Sequence, residues 1–550
     1  MVPPSQHTDQ PLWWQDGVIY QIYPRSFADS NGDGVGDLIG ITRKLDYLTW
    51  LGVTSIWISP FYPSPMADFG YDVSDYVDID PQFGTLADFD QLIKEAHQRN
   101  LRVIVDWVPN HSSDQHPWFQ EAHSSKDSSK RDWYCWADAK PDGTPPNNWL
   151  SNFGGPAWTF DQHTQQYYRH SFLPEQPDLN WRNPELQAAM FDTLRFWLDR
   201  GVDGFRIDSA HNILKDPSMR DNPPNPESEF TMHKSYGEYD SQLHMHDKAH
   251  EDVHTVYREL RTLLDRYSLE HPRVATGEMH IKDWPQWASY YGTELDELHM
   301  PLNFGFLFAH WSAEGIRQVV EELEAILPPG AWPNYVLGNH DEARILSRIG
   351  AGQARMAMLL LLTLRGTPTI YYGDEIGMKD SEIPLEMIQD PWEKRVPGLG
   401  LGRDPERTPM QWNGQPEAGF TTPGTTPWLP LAPDFQEVNV EKQAPEVDSF
   451  LTLTRTILQQ RQSTPALLQG AYATLAIPEA TSTCFTFTRT LGNTRLLIAL
   501  NFTGKDQHIT IPGNESGTVL ISTHLDRNGQ ESLAGFHLRP DEGCLIELAN

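Results

Sequence analysis

Eight short apolar runs, several of them ending in polar residues, restrict the fold of this chain more than any other feature. They occupy residues 17–23, 53–59, 101–105, 203–208, 273–278, 298–304, 335–337 and 367–372. Their length and composition are typical of buried strands. Stretches with helical spacing of apolar residues lie between them, as in 86–99 and in 183–200, where Asn183-Pro184 would begin the helix. Eight strands alternating with helices predict a (β/α)8 TIM barrel.

Two regions depart from this alternation. Residues 110–176 are rich in Trp, Asp, Ser, Asn and Pro and delay the helix after the third strand. Loops this long in a compact domain are usually functional, so we predict a small inserted domain over the cleft. Short alternating runs from residue 484 onward predict a C-terminal all-β sandwich. We therefore assign 1–109 and 177–465 to the barrel, 110–176 to the inserted domain and 466–550 to the sandwich.

The charge balance and the cysteines limit the classes of partner and compartment. Lys and Arg number 42 against 75 Asp and Glu, a formal net charge of −33, which disfavours nucleic acid and anionic membranes as partners. Three distant cysteines, Cys135, Cys484 and Cys544, offer neither a disulfide framework nor a CxxC metal site. The first residues lack the pattern of a signal peptide, and no run of about 18 apolar residues is evident. We expect a cytoplasmic protein without a membrane partner.

Three carboxylates stand at or just beyond the ends of predicted barrel strands, namely Asp208, Glu278 and Asp341. The carboxyl ends of barrel strands converge on one cleft, so we expect these side chains to meet there. In retaining glycoside hydrolysis one carboxylate attacks the anomeric carbon while a protonated partner donates to the leaving oxygen. Arg206 lies on the same strand face as Asp208 and would keep it ionised, whereas burial among acids would raise the pKa of Glu278. Asp341 would then bind sugar hydroxyls.

Oxygen-bearing side chains also recur in the loop after the first strand, at Asp29, Asn31, Asp33 and Asp37. Such a set suits a hard cation, Ca²⁺ or Mg²⁺, in a structural role. The loop is not an EF-hand, because Gly40 occupies the position where an EF-hand has its bidentate Glu. A solvated acidic turn is the alternative interpretation.

Several short motifs, in order along nearly the whole chain, resemble those of one enzyme family. They are DWVPNH at 106–111, QPDLNW at 176–181, GFRID at 204–208, GE at 277–278, GNHDEAR at 338–344 and RTPMQW at 407–412. The chain resembles the α-glucosidases of the α-amylase superfamily, glycoside hydrolase family 13, in the oligo-1,6-glucosidase and maltase branch.

The resemblance implies a role for each matching residue. Asp208 would be the nucleophile, Glu278 the acid/base and Asp341 the transition-state stabiliser. The implied contacts to the non-reducing glucose are Asp68, Tyr71, His111, Arg206, His340 and Arg407, and the implied cation ligands are Asp29, Asn31, Asp33, Val35 through its carbonyl, and Asp37. Asp68 and Arg407 would close the far end of the cleft, which implies exo action on a small oligosaccharide. We expect the protein to be a monomer or a small homo-oligomer.

One position bears on the linkage that is cleaved. Family members that prefer α-1,6 bonds usually carry Val after the nucleophile, whereas this chain has Ser209. The resemblance therefore favours α-1,4 substrates such as maltose, with transglucosylation when a second sugar intercepts the intermediate. The alternatives are an α-1,6-preferring oligo-1,6-glucosidase and an α-glucosyl isomerase or transferase such as a trehalose synthase. A sucrose isomerase is disfavoured because the chain has no Arg-Leu-Asp-Arg-Asp cluster. A catalytically inactive interaction protein is also disfavoured, because the carboxylate set is intact.

A second motif, HExxH at 250–254, has the spacing of a zinc metalloprotease site. It lies in a polar stretch without a third ligand or a cleft of its own, and such a pattern also arises by chance in a chain with 21 His. We interpret it as a solvated polar face.

Overall fold

The structure is a computed structural model that describes residues 11–226, 234–269, 271–513 and 516–549. Its centre is a sheet of eight parallel strands in the order β7-β8-β1-β2-β3-β4-β5-β6. The strands are β1 Ile19–Ile22, β2 Ser55–Ile58, β3 Arg102–Trp107, β4 Gly204–Ile207, β5 Val274–Gly277, β6 Met300–Pro301, β7 Asn334–Val336 and β8 Thr367–Tyr371. The described residues form no ladder between β6 and β7, so the barrel is nearly closed. The predicted fold class is confirmed.

Helices surround the strands as the apolar spacing predicts. The longer ones that accompany the barrel are Leu38–Arg43, Leu45–Leu51, Leu86–Gln98, Pro184–Asp199, Val253–Tyr267, Ala313–Ile326, Ile345–Thr363 and Phe450–Ser463. Thr85 and Asp88 form a reciprocal capping box that starts the helix after β2. The Asn183 side chain accepts two backbone N–H groups ahead of Pro184 and starts the helix before β4. Further α-helices are Pro24–Phe27, Pro117–Ser124, Trp284–Ser289, Gly305–Phe308, Pro391–Arg395, Val440–Gln443 and Pro465–Gln469.

The register of the barrel strands places the ends of β3, β4 and β5 side by side. Asp106 pairs with Arg206, and Arg206 pairs with Thr276. Asp208 lies two residues after Arg206, and Glu278 lies two residues after Thr276, so the two carboxylates lie on the same face of the sheet and at the same height. This register, together with the parallel order, brings the two carboxylates together.

The excursion after β3 leaves the barrel and returns at the same point. His111 bridges to Asp178, and Tyr134 bridges to Leu179. Between them lies a three-stranded antiparallel sheet, in the order Trp136–Ala137, Gln166–Arg169, Trp158–Asp161. The excursion therefore has secondary structure of its own.

The C-terminal region is antiparallel. Its six-stranded sheet has the order Ala471–Thr474, Cys484–Leu491, Thr494–Asn501, Gly543–Leu548, Ser516–Ser522, Gly529–Ser532, and Gln507–Ile509 pairs with Phe536–Leu538 in a second, two-stranded sheet. Leu497 and Ile546 from the first sheet share a buried core with Ile509 and Phe536 from the second. Two sheets closing over one core is the arrangement of a sandwich.

Helix Ile345–Thr363 is long and apolar enough to cross a membrane by length and composition, with a mean hydropathy of 1.3. Fifty-six per cent of that window is buried inside the protein, because the helix packs against Phe450–Ser463 and the C-terminal sheet. Gly350 kinks it with a φ of 79°. We interpret it as a core helix of the barrel.

Candidate active site

The three predicted catalytic carboxylates line one pocket at the C-terminal end of the barrel. Asp208 follows β4, Glu278 follows β5, and Asp341 lies five residues beyond β7. Asp208 and Glu278 are almost fully buried, whereas the Asp341 side chain is 20% exposed. Residues separated by up to 133 positions thus share one cavity, as the strand-end pattern predicts.

A single buried guanidinium joins these acids. Arg206 Nη1 donates to Asp106 Oδ1 at 2.6 Å and to Asp208 Oδ1 at 2.8 Å. Its Nη2 lies 2.9 Å from Glu278 Oε2. The guanidinium also faces the Trp57 ring, 5.0 Å from the centroid, and the Trp57 indole N–H donates to Asp106. One positive charge is therefore shared among three carboxyls.

Because the guanidinium is shared, the pKa values of the two catalytic acids shift differently from the prediction. Burial raises the pKa of Asp208 well above its usual value; Arg206 lowers it, and the negative charges of Glu278, Asp106 and Asp341 raise it. Burial also acts to raise the pKa of Glu278, but Arg206 and His280 outweigh it and lower that pKa. The prediction of an ionised Asp208 and a raised pKa for Glu278 is thus opposite to the directions found, because the guanidinium also reaches Glu278.

Two groups besides Arg206 position the Glu278 carboxyl. The Ser209 backbone N–H donates to Glu278 Oε2 at 2.9 Å, and Ser209 adopts a left-handed conformation with a φ of 43° to do so. His280 Nε2 lies 3.2 Å from Glu278 Oε1. His280 is two residues beyond Glu278, so both side chains leave the chain on the same side. The sequence analysis did not identify His280 as a site residue.

Asp341 is held by two arginines, at the end of the cleft that the resemblance implies is closed. Arg407 Nη2 donates to Asp341 Oδ1 at 2.8 Å, and Arg403 Nη1 donates to the same oxygen at 3.2 Å. Burial acts to raise the pKa of Asp341, but the neighbouring arginines counter it and that pKa is lowered, so the carboxyl is ionised. Arg403 also reaches Asp68, 2.7 Å away. Asp68 therefore forms its ion pair with Arg403, a residue to which the sequence analysis gave no role.

Arg403 itself is fixed from behind. Asp390 accepts from Arg403 Nε at 3.0 Å and from Nη2 at 2.8 Å, in a bidentate pair. The sequence analysis noted Arg403 in a Pro-rich excursion but gave it no role. Residues 403–406, directly before the RTPMQW motif, have no periodic pattern that would have placed Arg403 in the pocket.

Two neutral histidines stand at the pocket: His111 lines it, and His340 is buried behind its wall. His340 is stacked between Tyr23 and Tyr71, and its Nε2 lies 2.6 Å from the Tyr71 hydroxyl. Burial lowers the pKa of His340 to about 3 and that of His111 to about 4. His111 Nε2 lies 3.0 Å from the Tyr71 carbonyl and 3.1 Å from Gln176 Nε2. Neutral imidazoles at these positions suit hydrogen bonds with uncharged hydroxyls.

The rest of the pocket wall comes from the long loops. It consists of Asn152, Phe153, Phe172, His211, Asn212, Tyr236, Tyr239, Lys248, Glu342 and Trp392. None of these was predicted as a site residue, because the loops that carry them have no regular spacing to orient a side chain.

The predicted cation loop is closed by its own hydrogen bonds. Asp29 Oδ1 accepts from the N–H groups of Asn31 and Gly32, and Asp37 Oδ2 accepts from the N–H of Ser30. Asp33 Oδ1 accepts the N–H of Val35. Within the described ranges, no three His, Cys, Asp or Glu side chains lie close enough together to hold a metal ion. The donors are nevertheless all oxygens, which is the set that a hard cation prefers.

The HExxH histidines face different partners. His250 Nδ1 lies 3.2 Å from Asp252, whereas His254 Nδ1 lies 2.7 Å from Glu297. The helix begins only at Val253, so the two rings do not share one helical face.

Comparison with known proteins agrees with the geometry. Residues 21–470 match the family described as alpha amylase, catalytic domain. The chain is 42% identical to a probable alpha-glucosidase of Rhizobium meliloti (strain 1021), over 89% of each chain. It is 36% identical to an oligo-1,6-glucosidase of Parageobacillus thermoglucosidasius, over 98% of this chain and 99% of that protein.

Two solved structures are similar over 98% of this chain and 100% of their own. One is an alpha-glucosyl transfer enzyme, with 41% identity and a TM-score of 0.91. The other is the trehalulose synthase of Pseudomonas mesoacidophila MX-45, with 33% identity and a TM-score of 0.88. The chain therefore belongs to the α-amylase family, glycoside hydrolase family 13, and is a glucoside-active enzyme of that family.

Proposed function

We propose that the protein is a retaining, exo-acting α-glucosidase that releases α-glucose from the non-reducing end of short α-glucosides. The observation that carries this proposal is the pocket itself. Asp208 and Glu278 converge at Arg206, and Arg403 links Asp68 to Asp341 at the closed end. A closed end admits one terminal sugar and no longer chain, which supports exo action.

In the first step, Asp208 attacks the anomeric carbon while Glu278 donates its proton to the glycosidic oxygen. The C–O bond to the aglycone breaks, and a β-glucosyl ester forms on Asp208. In the second step, Glu278 takes a proton from water, which attacks the ester and frees Asp208. Two inversions give net retention. A sugar hydroxyl in place of water would give transglucosylation.

The first step needs an ionised Asp208 and a protonated Glu278, which is opposite to the directions in which their pKa values are shifted without substrate. A glycosidic oxygen beside Glu278 displaces its carboxyl from Arg206, which raises the pKa of Glu278 and leaves the guanidinium to Asp208. Substrate binding thereby assigns the acid and the nucleophile.

Asp341, Asp68 and the two neutral histidines hold the glucose. The Asp341 carboxylate is ionised and is fixed by Arg403 and Arg407, so its bonds to sugar hydroxyls strengthen as the ring flattens toward the oxocarbenium ion. Tyr71 and His111 complete the wall around the sugar, and the buried Arg206 and His340 stand behind it. This preorganised polar wall stabilises the transition state more than the substrate.

Ser209 supports a preference for α-1,4 linkages. The Ser209 backbone N–H donates to Glu278, and Ser209 lines the pocket. Its side chain would therefore lie near the bond that is cleaved. A serine side chain leaves more room at this position than a valine side chain does. It also presents a hydroxyl where valine would present two methyl groups.

A second candidate, an α-glucosyl transferase or isomerase, has one specific observation in its favour. Proteins similar in structure include an alpha-glucosyl transfer enzyme and a trehalulose synthase. The two functions share both chemical steps and differ only in which acceptor attacks the ester. Product analysis separates them.

The loop at 29–37 would hold a structural Ca²⁺ or Mg²⁺ through Asp29, Asn31, Asp33, Asp37 and the Val35 carbonyl. The loop is tied to the excursion that carries the pocket arginines, because Asp29 N–H donates to the Phe420 carbonyl and the Thr421 hydroxyl donates to Asp29. A cation would supply local stability there and takes no part in the reaction.

The test is incubation of the protein with maltose, isomaltose and sucrose, beside the Asp208→Asn variant. Release of α-glucose from maltose, abolished in the variant, would support the proposal. Trehalose, or another new disaccharide, as the main product would favour the second candidate.

A further inference from the structure

We propose that the aglycone side of the pocket binds an anionic group, so that α-glucosides with a carboxylate or phosphate on the aglycone are preferred substrates. This inference rests on the proposed function and specifies its substrate class. It comes from three basic side chains, His211, His280 and Lys248, which reach the pocket from three separate segments. His280 Nε2 lies 3.2 Å from Glu278 Oε1 and the His211 ring lies beside the His280 ring, so this cluster adjoins the carboxyl that would protonate the leaving group.

Lys248 brings an ammonium group that has no counter-charge in contact. Its Nζ lies 3.3 Å from the Tyr239 hydroxyl and 5.5 Å from the centroid of that ring. In the part of the chain that the structure describes, no carboxylate oxygen forms an ion pair with it. The neighbouring Asp247 carboxylate is occupied by His244, at 2.6 Å. A partly desolvated ammonium without a carboxylate partner is unfavourable unless a ligand supplies the anion.

His211 supplies an independent sign of a missing ligand. The side chain lines the pocket, is 3% exposed, and its Nδ1 has no hydrogen-bond partner among the described residues. Buried polar atoms are rarely left unpaired in folded proteins. The His280 ring lies 6.1 Å away, centroid to centroid, and its Nδ1 is likewise buried and unpaired. A polar ligand group at this point would satisfy donors that the protein leaves open.

The acids of the pocket do not neutralise Lys248, because each has a basic partner elsewhere. Glu278 contacts Arg206, Asp341 contacts Arg403, and Glu342 lies 3.4 Å from Lys234. The ammonium therefore remains the available positive charge on the aglycone side. A charge-assisted bond to a carboxylate or phosphate is stronger than one to a neutral hydroxyl.

Maltobionate and maltitol provide a matched pair of substrates. Both carry an α-1,4-linked glucose on an open-chain aglycone, and they differ only in a terminal carboxylate against a hydroxymethyl group. We expect kcat/KM for maltobionate to exceed that for maltitol by about tenfold or more, and Lys248→Met to reduce the ratio toward one. Lys248→Arg should keep the preference, because it keeps the charge. Maltose 1-phosphate in a third arm shows whether phosphate serves as well as carboxylate.

Lys94→Met is the control for the loss of one positive charge, since Lys94 is exposed on the outer helix Leu86–Gln98. It should leave both substrates unchanged. A ratio near one in the unmodified protein, or a preference that survives in Lys248→Met, would overturn the inference while the α-glucosidase assignment stands. If maltose is cleaved but neither of these compounds is, the proposed function stands and calorimetry on Asp208→Asn decides the inference; if maltose is not cleaved either, the proposed function fails. Equal affinity for the two ligands would overturn it, and tighter binding of maltobionate would support it.

Discussion

Arg403 should be essential to the pocket although it is not one of the three catalytic carboxylates. It is 5% exposed and contacts Asp68, Asp341 and Asp390 at 2.7 to 3.2 Å. Replacing it with Met would leave these three carboxylates with less positive charge nearby. Removing one partner of a buried ion pair typically costs about 3–5 kcal/mol, so we expect a destabilisation of that size.

The effect on activity follows from the contact with Asp341. A hydrogen bond to a charged group is worth about 1.5–3 kcal/mol. If that bond fixes the carboxylate that stabilises the transition state, its loss lowers kcat/KM by about 10- to 150-fold. We expect kcat to fall as well as KM to rise, because the oxocarbenium ion gains more from Asp341 than the substrate does.

Steady-state kinetics on maltose and urea unfolding would measure the two effects. Arg403→Lys should recover part of the activity, since it keeps the charge but loses the planar fork that Asp390 holds. Arg195→Met is the matched control, because Arg195 pairs with Asp192 on the surface and such pairs contribute about 0–1 kcal/mol. Unchanged kinetics and an unchanged unfolding midpoint in Arg403→Met would refute the reasoning.

Four further predictions concern the acid, its neighbour, the linkage and the cation loop. Glu278→Gln should lose far more activity on maltose than on α-glucosyl fluoride, whose leaving group needs no proton; equal losses on both would contradict the acid role. His280→Leu should raise the pKa of Glu278, because His280 lowers it, so the acid stays protonated to higher pH and the basic limb of kcat/KM moves upward; an unmoved limb would count against the contact. Ser209→Val should shift the ratio of maltose to isomaltose cleavage toward isomaltose, and a constant ratio would remove Ser209 as a determinant. Chelation should lower the thermal midpoint and added Ca²⁺ should restore it, with no such response in Asp33→Asn; a midpoint insensitive to chelator would argue for a solvated turn.

The positions of the residues at the strand ends were predictable because the barrel fold gathers the carboxyl ends of its strands at one mouth. A short apolar run that stops at a charged residue, as at Ile207 and Asp208, places that residue in the mouth of any parallel barrel. The carboxylates therefore followed from local pattern alone. The sixth strand was harder, because only Met300–Pro301 pairs in the sheet where a longer run was expected.

The contacts between distant loops were not predictable in this way. Arg403 and Asp68 are 335 residues apart, and both lie in irregular segments where side-chain direction has no period. The role of Arg206 as a shared partner depended on the register of β5 against β4, which fixes the height of Glu278. The alternation of side chains along β4 predicted the contact of Arg206 with Asp208. It could not predict the contact of Arg206 with Glu278, which lies beyond another strand.

The covalent intermediate on Asp208 tests the central claim most directly. The Glu278→Gln variant should react with α-glucosyl fluoride but release the glucosyl group slowly, because it lacks the base that activates water. Rapid quench and peptide mass spectrometry should then find one glucosyl unit on the peptide that contains Asp208. Turnover of the fluoride to β-glucose, with no glucosylated Asp208 at any time, would contradict the retaining mechanism.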